Sequence, residues 1–212
     1  MIIFGPKKRF ALFILIAFLG GAREISARCL PQTVQSEQVL DWDKVLAAYG
    51  SYIDYPSQEN ARALLIALPL DRLFKKSGDT GQALNLLFSP DNFPVLYEEA
   101  ISGDRKAIEI YFRLLNVADG YYTELLLSGL GSFMRNYPQL FLEILLKYKD
   151  INHIKNNGYP VSFIGAGHNV HSKAAIYILE KRIEALESVT DPRYSEIKES
   201  CIRKLRKAIS EY

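Results

Sequence analysis

The sequence predicts an all-α protein, with antiparallel helical hairpins stacked as a short α-solenoid or a compact helical bundle. Three observations predict it. Apolar residues recur at helical spacing through most of the chain, as in Phe93, Leu96, Tyr97, Ala100 and Ile101. Helix-starting and helix-ending residues punctuate these stripes, as in Gly103-Asp104. Between Asp91 and Asp150 four such stripes follow one another with very short turns between them, and short turns make neighbouring helices antiparallel.

With 212 residues, 49% apolar and 24% charged, the chain suits one globular domain and excludes disordered and collagen-like classes. Its first residues read differently. Lys7, Lys8 and Arg9 precede an apolar run from Phe10 to Phe18, followed by Gly20, Gly21, Ala22 and Ile25-Ser26-Ala27. This is the pattern of a secretory signal peptide, residues 1–27, leaving 28–212 as a single all-α domain. The run falls well short of the ~20 residues a membrane span needs, so no stable membrane anchor is expected after cleavage. Arg28 before Cys29 argues against lipidation.

Cleavage after Ala27 removes Lys7, Lys8, Arg9, Arg23 and Glu24 and turns the net charge of +2 into −1. A nearly neutral chain lacks the positive field that nucleic-acid binding requires. The expected location is the periplasm or the extracellular space. In such an oxidising compartment Cys29 and Cys201 are expected to form a disulfide; a buried thiol is the alternative, because Cys201 shares a helical stripe with Ile197, Leu205 and Ala208.

Asp41 is a good N-cap, with Leu40 before it and Val45 after it as a hydrophobic staple, and the first helix carries Trp42, Val45, Leu46, Tyr49 and Ile53. Tyr55-Pro56-Ser57 breaks it, and Ala61, Leu64, Leu65 and Leu68 form a second helix closed by Pro69. Leu70 to Lys76 is expected to add a short turn of helix, 77–81 to be a loop, and Ala83 to Phe88 to be another helical piece.

The helix from Phe93 has Pro94 in its first turn, where a missing N–H costs nothing. Gly103 stops it and Asp104 caps the next helix, whose residues Ala107, Ile108, Ile110, Tyr111, Phe112, Leu114 and Leu115 leave little polar face. That helix should be interior. After Asp119-Gly120 the stripe Tyr122, Leu125, Leu126, Leu130, Phe133 contains Gly129 and Gly131, each costing ~1 kcal/mol against Ala, which points to close packing or a bend. Pro138 opens a helix lined by Phe141, Ile144, Leu145 and Tyr148.

His153 to Asn169 loses the helical period. Two long helices end the chain, one facing inward at Ile176, Leu179, Ile183 and Leu186 and one starting at Asp191-Pro192; they should pack antiparallel. Arg203, Lys204, Arg206 and Lys207 make the last turns basic, which suits a solvated face at the negative end of the helix dipole.

Paired helices with tight turns from about Asp41 to Asp150 resemble the HEAT and armadillo class of α-solenoids. The hairpins starting near Phe93 and Tyr121 are spaced more closely than a typical repeat of ~40 residues. The resemblance implies a scaffold that binds other macromolecules, and it carries over no particular residue.

Candidate chemistry gathers in the irregular segment. His153, His168 and His171 are the only histidines, and the His168-to-His171 spacing can bring two imidazoles together with His153 as a third zinc ligand. No HExxH motif or companion cysteine supports it. Val161 to Gly167 mimics the start of a dinucleotide fold but lacks the third glycine and the ribose-binding acid. Ser162 is not in a nucleophile elbow, since Pro160 and Ile164 stand where glycine is required.

The expectation is therefore a non-catalytic, exported protein-binding domain without a cofactor, of scaffold or inhibitor/immunity type. Its binding loop would use Asn157, Tyr159, Gly165, Gly167, His168, Asn169 and His171. Exposed tyrosines among Tyr49, Tyr52, Tyr55, Tyr121, Tyr122 and Tyr159 are further candidate anchors. The rival expectation is a metal-dependent enzyme or metal-binding protein built on His153, His168 and His171.

Overall fold

A computed structural model describes residues 38–70, 74–75, 80–148 and 172–212, within a compact unit spanning Ser36–Tyr212. The expected signal peptide and the expected binding loop lie outside the described residues. Among the described residues the structure is all-α, apart from a parallel pairing of β1 (Gln38–Val39) with β2 (Phe74–Lys75). This corrects the turn of helix expected over Leu70 to Lys76. Phe74 and Lys75 pair with Gln38 and Val39 instead, since so short a piece gains too few internal hydrogen bonds to nucleate a helix.

The helix starts follow the caps. In α1 (Trp42–Asp54) the Asp41 carboxylate accepts from the Lys44 N–H, and in α2 (Gln58–Ala67) the Ser57 hydroxyl accepts from the Asn60 N–H. Next come α3 (Thr80–Leu87) and α4 (Phe93–Ile101). They are separated by a tight turn in which the Phe93 N–H bonds to the Ser89 carbonyl and the Asn92 side-chain amide to the Leu86 carbonyl. In α5 (Arg105–Leu114) Asp104 caps the Ala107 N–H at 2.8 Å. Gly103 enters that cap at φ 92°, a conformation side chains disfavour.

The chain continues through α6 (Gly120–Asn136) and α7 (Pro138–Lys147), then α8 (Ser172–Glu187). A 3₁₀ turn at Pro192–Tyr194, held by Asp191, leads into α9 (Ser195–Ser210).

Hydrogen bonds between elements fix how the hairpins stack. Trp42 Nε1 donates to Thr80 Oγ1 and Tyr49 Oη donates to the Leu87 carbonyl, each spanning 38 positions. Helices α1 and α3 therefore run in the same direction. Tyr122 Oη reaches Asn85 across 37 positions and Tyr137 Oη reaches the Ile101 carbonyl across 36. Hence α3 and α4 together act as one broken helix laid beside α6.

On the other row, Lys106 bonds to the Gln58 carbonyl and Arg113 to that of Leu65, each across 48 positions. Arg105 and Glu109 pair with Glu143 and Lys147, each across 38. The rows that result are α1, α3–α4, α6, α8 and α2, α5, α7, α9, with neighbours in each row in contact. This is the stacking order of helical hairpins.

The core lies between the rows. Tyr111 meets Phe133 edge-on at 4.9 Å and Phe93 at 5.5 Å. Gly129 admits it, for a Cβ there would sit 2.8 Å from the Tyr111 ring. Gly131 likewise gives room to the guanidinium of Arg182, a buried cation on α8. Both glycines thus serve close helix packing. As expected, α5 is interior: every residue from Ala107 to Leu115 is buried.

Candidate functional site

Glu109 and Arg113 are charged residues inside a buried helix, and a buried charge is costly without partners. With Lys106 and Asn116 they form one stripe along α5 and just beyond it, facing α2. Arg113 Nη2 donates at 2.7 Å to the carbonyls of both Leu65 and Leu68. The Asn116 amide donates to those of Pro69 and Leu70. These are carbonyls at the C-terminal end of α2, which lack partners within their own helix. Lys106 Nζ takes the Gln58 carbonyl at the other end, at 2.9 Å. The stripe therefore holds α2 along its length.

The opposite flank of the stripe meets α7. Glu109 Oε1 accepts from Lys147 Nζ and, at 2.6 Å, from Tyr148 Oη. Burial, followed by the bond to Glu109, pushes the Tyr148 phenol well above its ordinary value of 10, so it remains a neutral donor. The Arg113 guanidinium lies 5.9 Å and the Lys147 ammonium 5.4 Å from the centre of the Tyr148 ring.

Above this floor is an open groove of about 450 Å³ lined by Arg62, Ile66, Leu70, Lys106 and Lys147, with Glu109, Arg113 and Tyr148 beneath. Among the described lining residues four are cationic and one, Glu109, is a carboxylate. Ile66 and Leu70 are 67% and 63% exposed at its edge. Chemically the arrangement can attract negative charge and cover apolar surface. The carboxylate and phenol that would be needed for proton transfer are engaged with each other and with Lys147.

A second hollow of about 420 Å³ lies where Tyr137, Pro138, Leu140 and Glu143 meet Ser188, Val189 and Thr190. Glu143 is tied there to Arg105.

Asn157, Tyr159, Gly165, Gly167, His168, Asn169 and His171 all lie outside the described residues, as does His153. Among the described residues no group of three or more His, Cys, Asp or Glu side chains is placed to hold a metal ion. The disulfide expected between Cys29 and Cys201 is not seen. Cys201 is a free thiol, 2% exposed, and burial pushes its pKa up to about 12; Cys29 lies outside the described residues. The core-facing stripe of α9, with Ile202 and Leu205 beside it, accounts for Cys201 as an apolar side chain.

Of the tyrosines, Tyr49 and Tyr52 are core residues at 2% exposure, whereas Tyr55 and Tyr121 are 71% exposed. No helix among the described residues is long and apolar enough to cross a membrane.

The groove residues were not singled out by the sequence. The available signal was the spacing of Lys106, Glu109 and Arg113, which puts three charged residues on one stripe of α5. No known protein family, curated protein or solved structure matches the chain.

Proposed function

We propose that the protein is an exported, non-catalytic binding module that engages another protein through its helical surface. The observation carrying this reading is the groove between α2, α5 and α7, where Ile66 and Leu70 stand exposed beside Arg62, Lys106 and Lys147. Exposed aliphatic side chains rimmed by charge are the surface chemistry of a protein interface. The leader-like residues 1–27 support export, and the periplasm or extracellular space is the proposed location. Scaffold and inhibitor roles both fit a surface of this kind.

Capture tests the reading. The full chain, tagged at its C-terminus, is fixed briefly with formaldehyde in cells and purified from the envelope and medium fractions. A discrete protein co-purifying in stoichiometric amount is the expected result. Repeated recovery of the chain alone from both fractions would contradict it.

A further inference from the structure

We infer that the groove between α2, α5 and α7 takes an acidic peptide segment of the partner, with its carboxylates over Arg62, Lys106 and Lys147 and its apolar side chains on Ile66 and Leu70. The inference rests on the proposed binding function and names the chemistry of the occupant.

Charge complementarity carries it. Among the described lining residues Arg62, Lys106 and Lys147 bring cations to the rim and Glu109 is the one carboxylate, so this lining is positive while the chain as a whole is near neutral. A segment carrying carboxylates is steered into such a place and a basic one is repelled. The floor is already fixed: Arg113 and Asn116 hold carbonyls of the α2 end, and Glu109 is held by Lys147 and Tyr148. A site held in this way loses little side-chain freedom on binding.

Arg62 is exposed, so its charge remains available to an incoming chain, and Lys147, 57% exposed, keeps donors beyond the one it gives to Glu109. Ile66 and Leu70 add exposed apolar surface beside these cations, which suits a peptide bearing Leu, Ile or Phe between acids. A nucleic-acid backbone would leave Ile66 and Leu70 without partners. The groove is a hollow of about 450 Å³, which fits a segment; a lipid surface calls for a protruding face.

The probe is a fluorescein-labelled twelve-residue peptide alternating Glu and Leu, titrated with the full chain and followed by anisotropy. A Lys–Leu peptide of the same length, and vesicles of phosphatidylglycerol, serve as comparisons. Expected are saturable binding of the Glu–Leu peptide at least about tenfold tighter than the Lys–Leu peptide, and weakening as salt rises. Binding should fall about tenfold in Arg62→Glu, and a loss is likewise expected in Ile66→Ser. Both changes are at exposed positions, and unchanged far-ultraviolet circular dichroism confirms that each variant folds.

Equal binding of both peptides would overturn the inference, as would indifference to both substitutions, or uptake by vesicles with no peptide binding. If the Glu–Leu peptide fails while a partner is still captured in cells, the groove inference falls and the binding function stands. If no partner is captured by either the native chain or its variants, the binding function itself falls.

Discussion

Arg113 shows how a single side chain organises this molecule. The residue is 7% exposed, and two bonds of its guanidinium end on the Leu65 and Leu68 carbonyls. Replacing it with methionine keeps the volume and removes the donors. Buried carbonyls left unpaired cost ~1–3 kcal/mol each, so with two of them Arg113→Met is expected to lose roughly 2–6 kcal/mol. Urea unfolding reads this directly; a midpoint unchanged from the native chain would show that the end of α2 finds its partners elsewhere. Gly131 shows the converse, where what matters is absence. A Cβ at that position would lie 1.8 Å from an Arg182 nitrogen, a closeness no side chain tolerates.

At the scale of elements, the neighbouring helices α5 and α7 are linked by two ion pairs of the same register, Arg105 with Glu143 and Glu109 with Lys147. The hydrogen bond from Arg105 holds the Glu143 carboxyl below its ordinary value of 4.5. A carboxylate depressed in the folded state binds fewer protons there than when unfolded. Its contribution is therefore complete above the ordinary value and is lost as pH falls through the depressed one. The melting temperature should drop between about pH 5 and about pH 3, and Glu143→Gln should flatten the part of that drop owed to this pair. With Glu143 38% exposed, added salt should shrink the difference. A pH profile identical in native and variant chains would remove the pair from the account.

The starts of α1 and α5 were legible because capping is local: Asp41 and Asp104 each sit one residue before the helix they cap and accept one of its free N–H groups. The interior place of α5 was legible from the apolar residues Ala107, Ile108, Ile110, Tyr111, Phe112, Leu114 and Leu115, which leave little polar face. What the sequence hid was the pairing of α3 with α4. The turn around Pro90 splits one row element into two pieces, so the spacing from Phe93 to Tyr121 seemed too short for a repeat. The bonds along each row restore offsets of 36 to 38 positions, and 48 across α2 and α5, close to the ~40 of helical repeats. The groove was hidden for a related reason. Arg62, Lys106 and Lys147 each read as ordinary surface charge on its own helix, and only parallel stacking of α2, α5 and α7 brings them together.

At the scale of the whole described unit, the interior is filled by aromatic and aliphatic side chains between two rows of helices, and the chemistry of interest lies on the outside. Exposed Tyr55, Ile66, Leu86, Tyr121 and Tyr177 mark separate places on that surface. Only Ile66 borders the cationic groove. The measurement that tests the account most directly places a photoreactive side chain at each of these five positions in turn in the full chain, irradiates living cells, and identifies the adducts. The account expects a discrete protein adduct strongest from Ile66, joined to a peptide with net negative charge. The absence of any protein adduct from all five positions would contradict it.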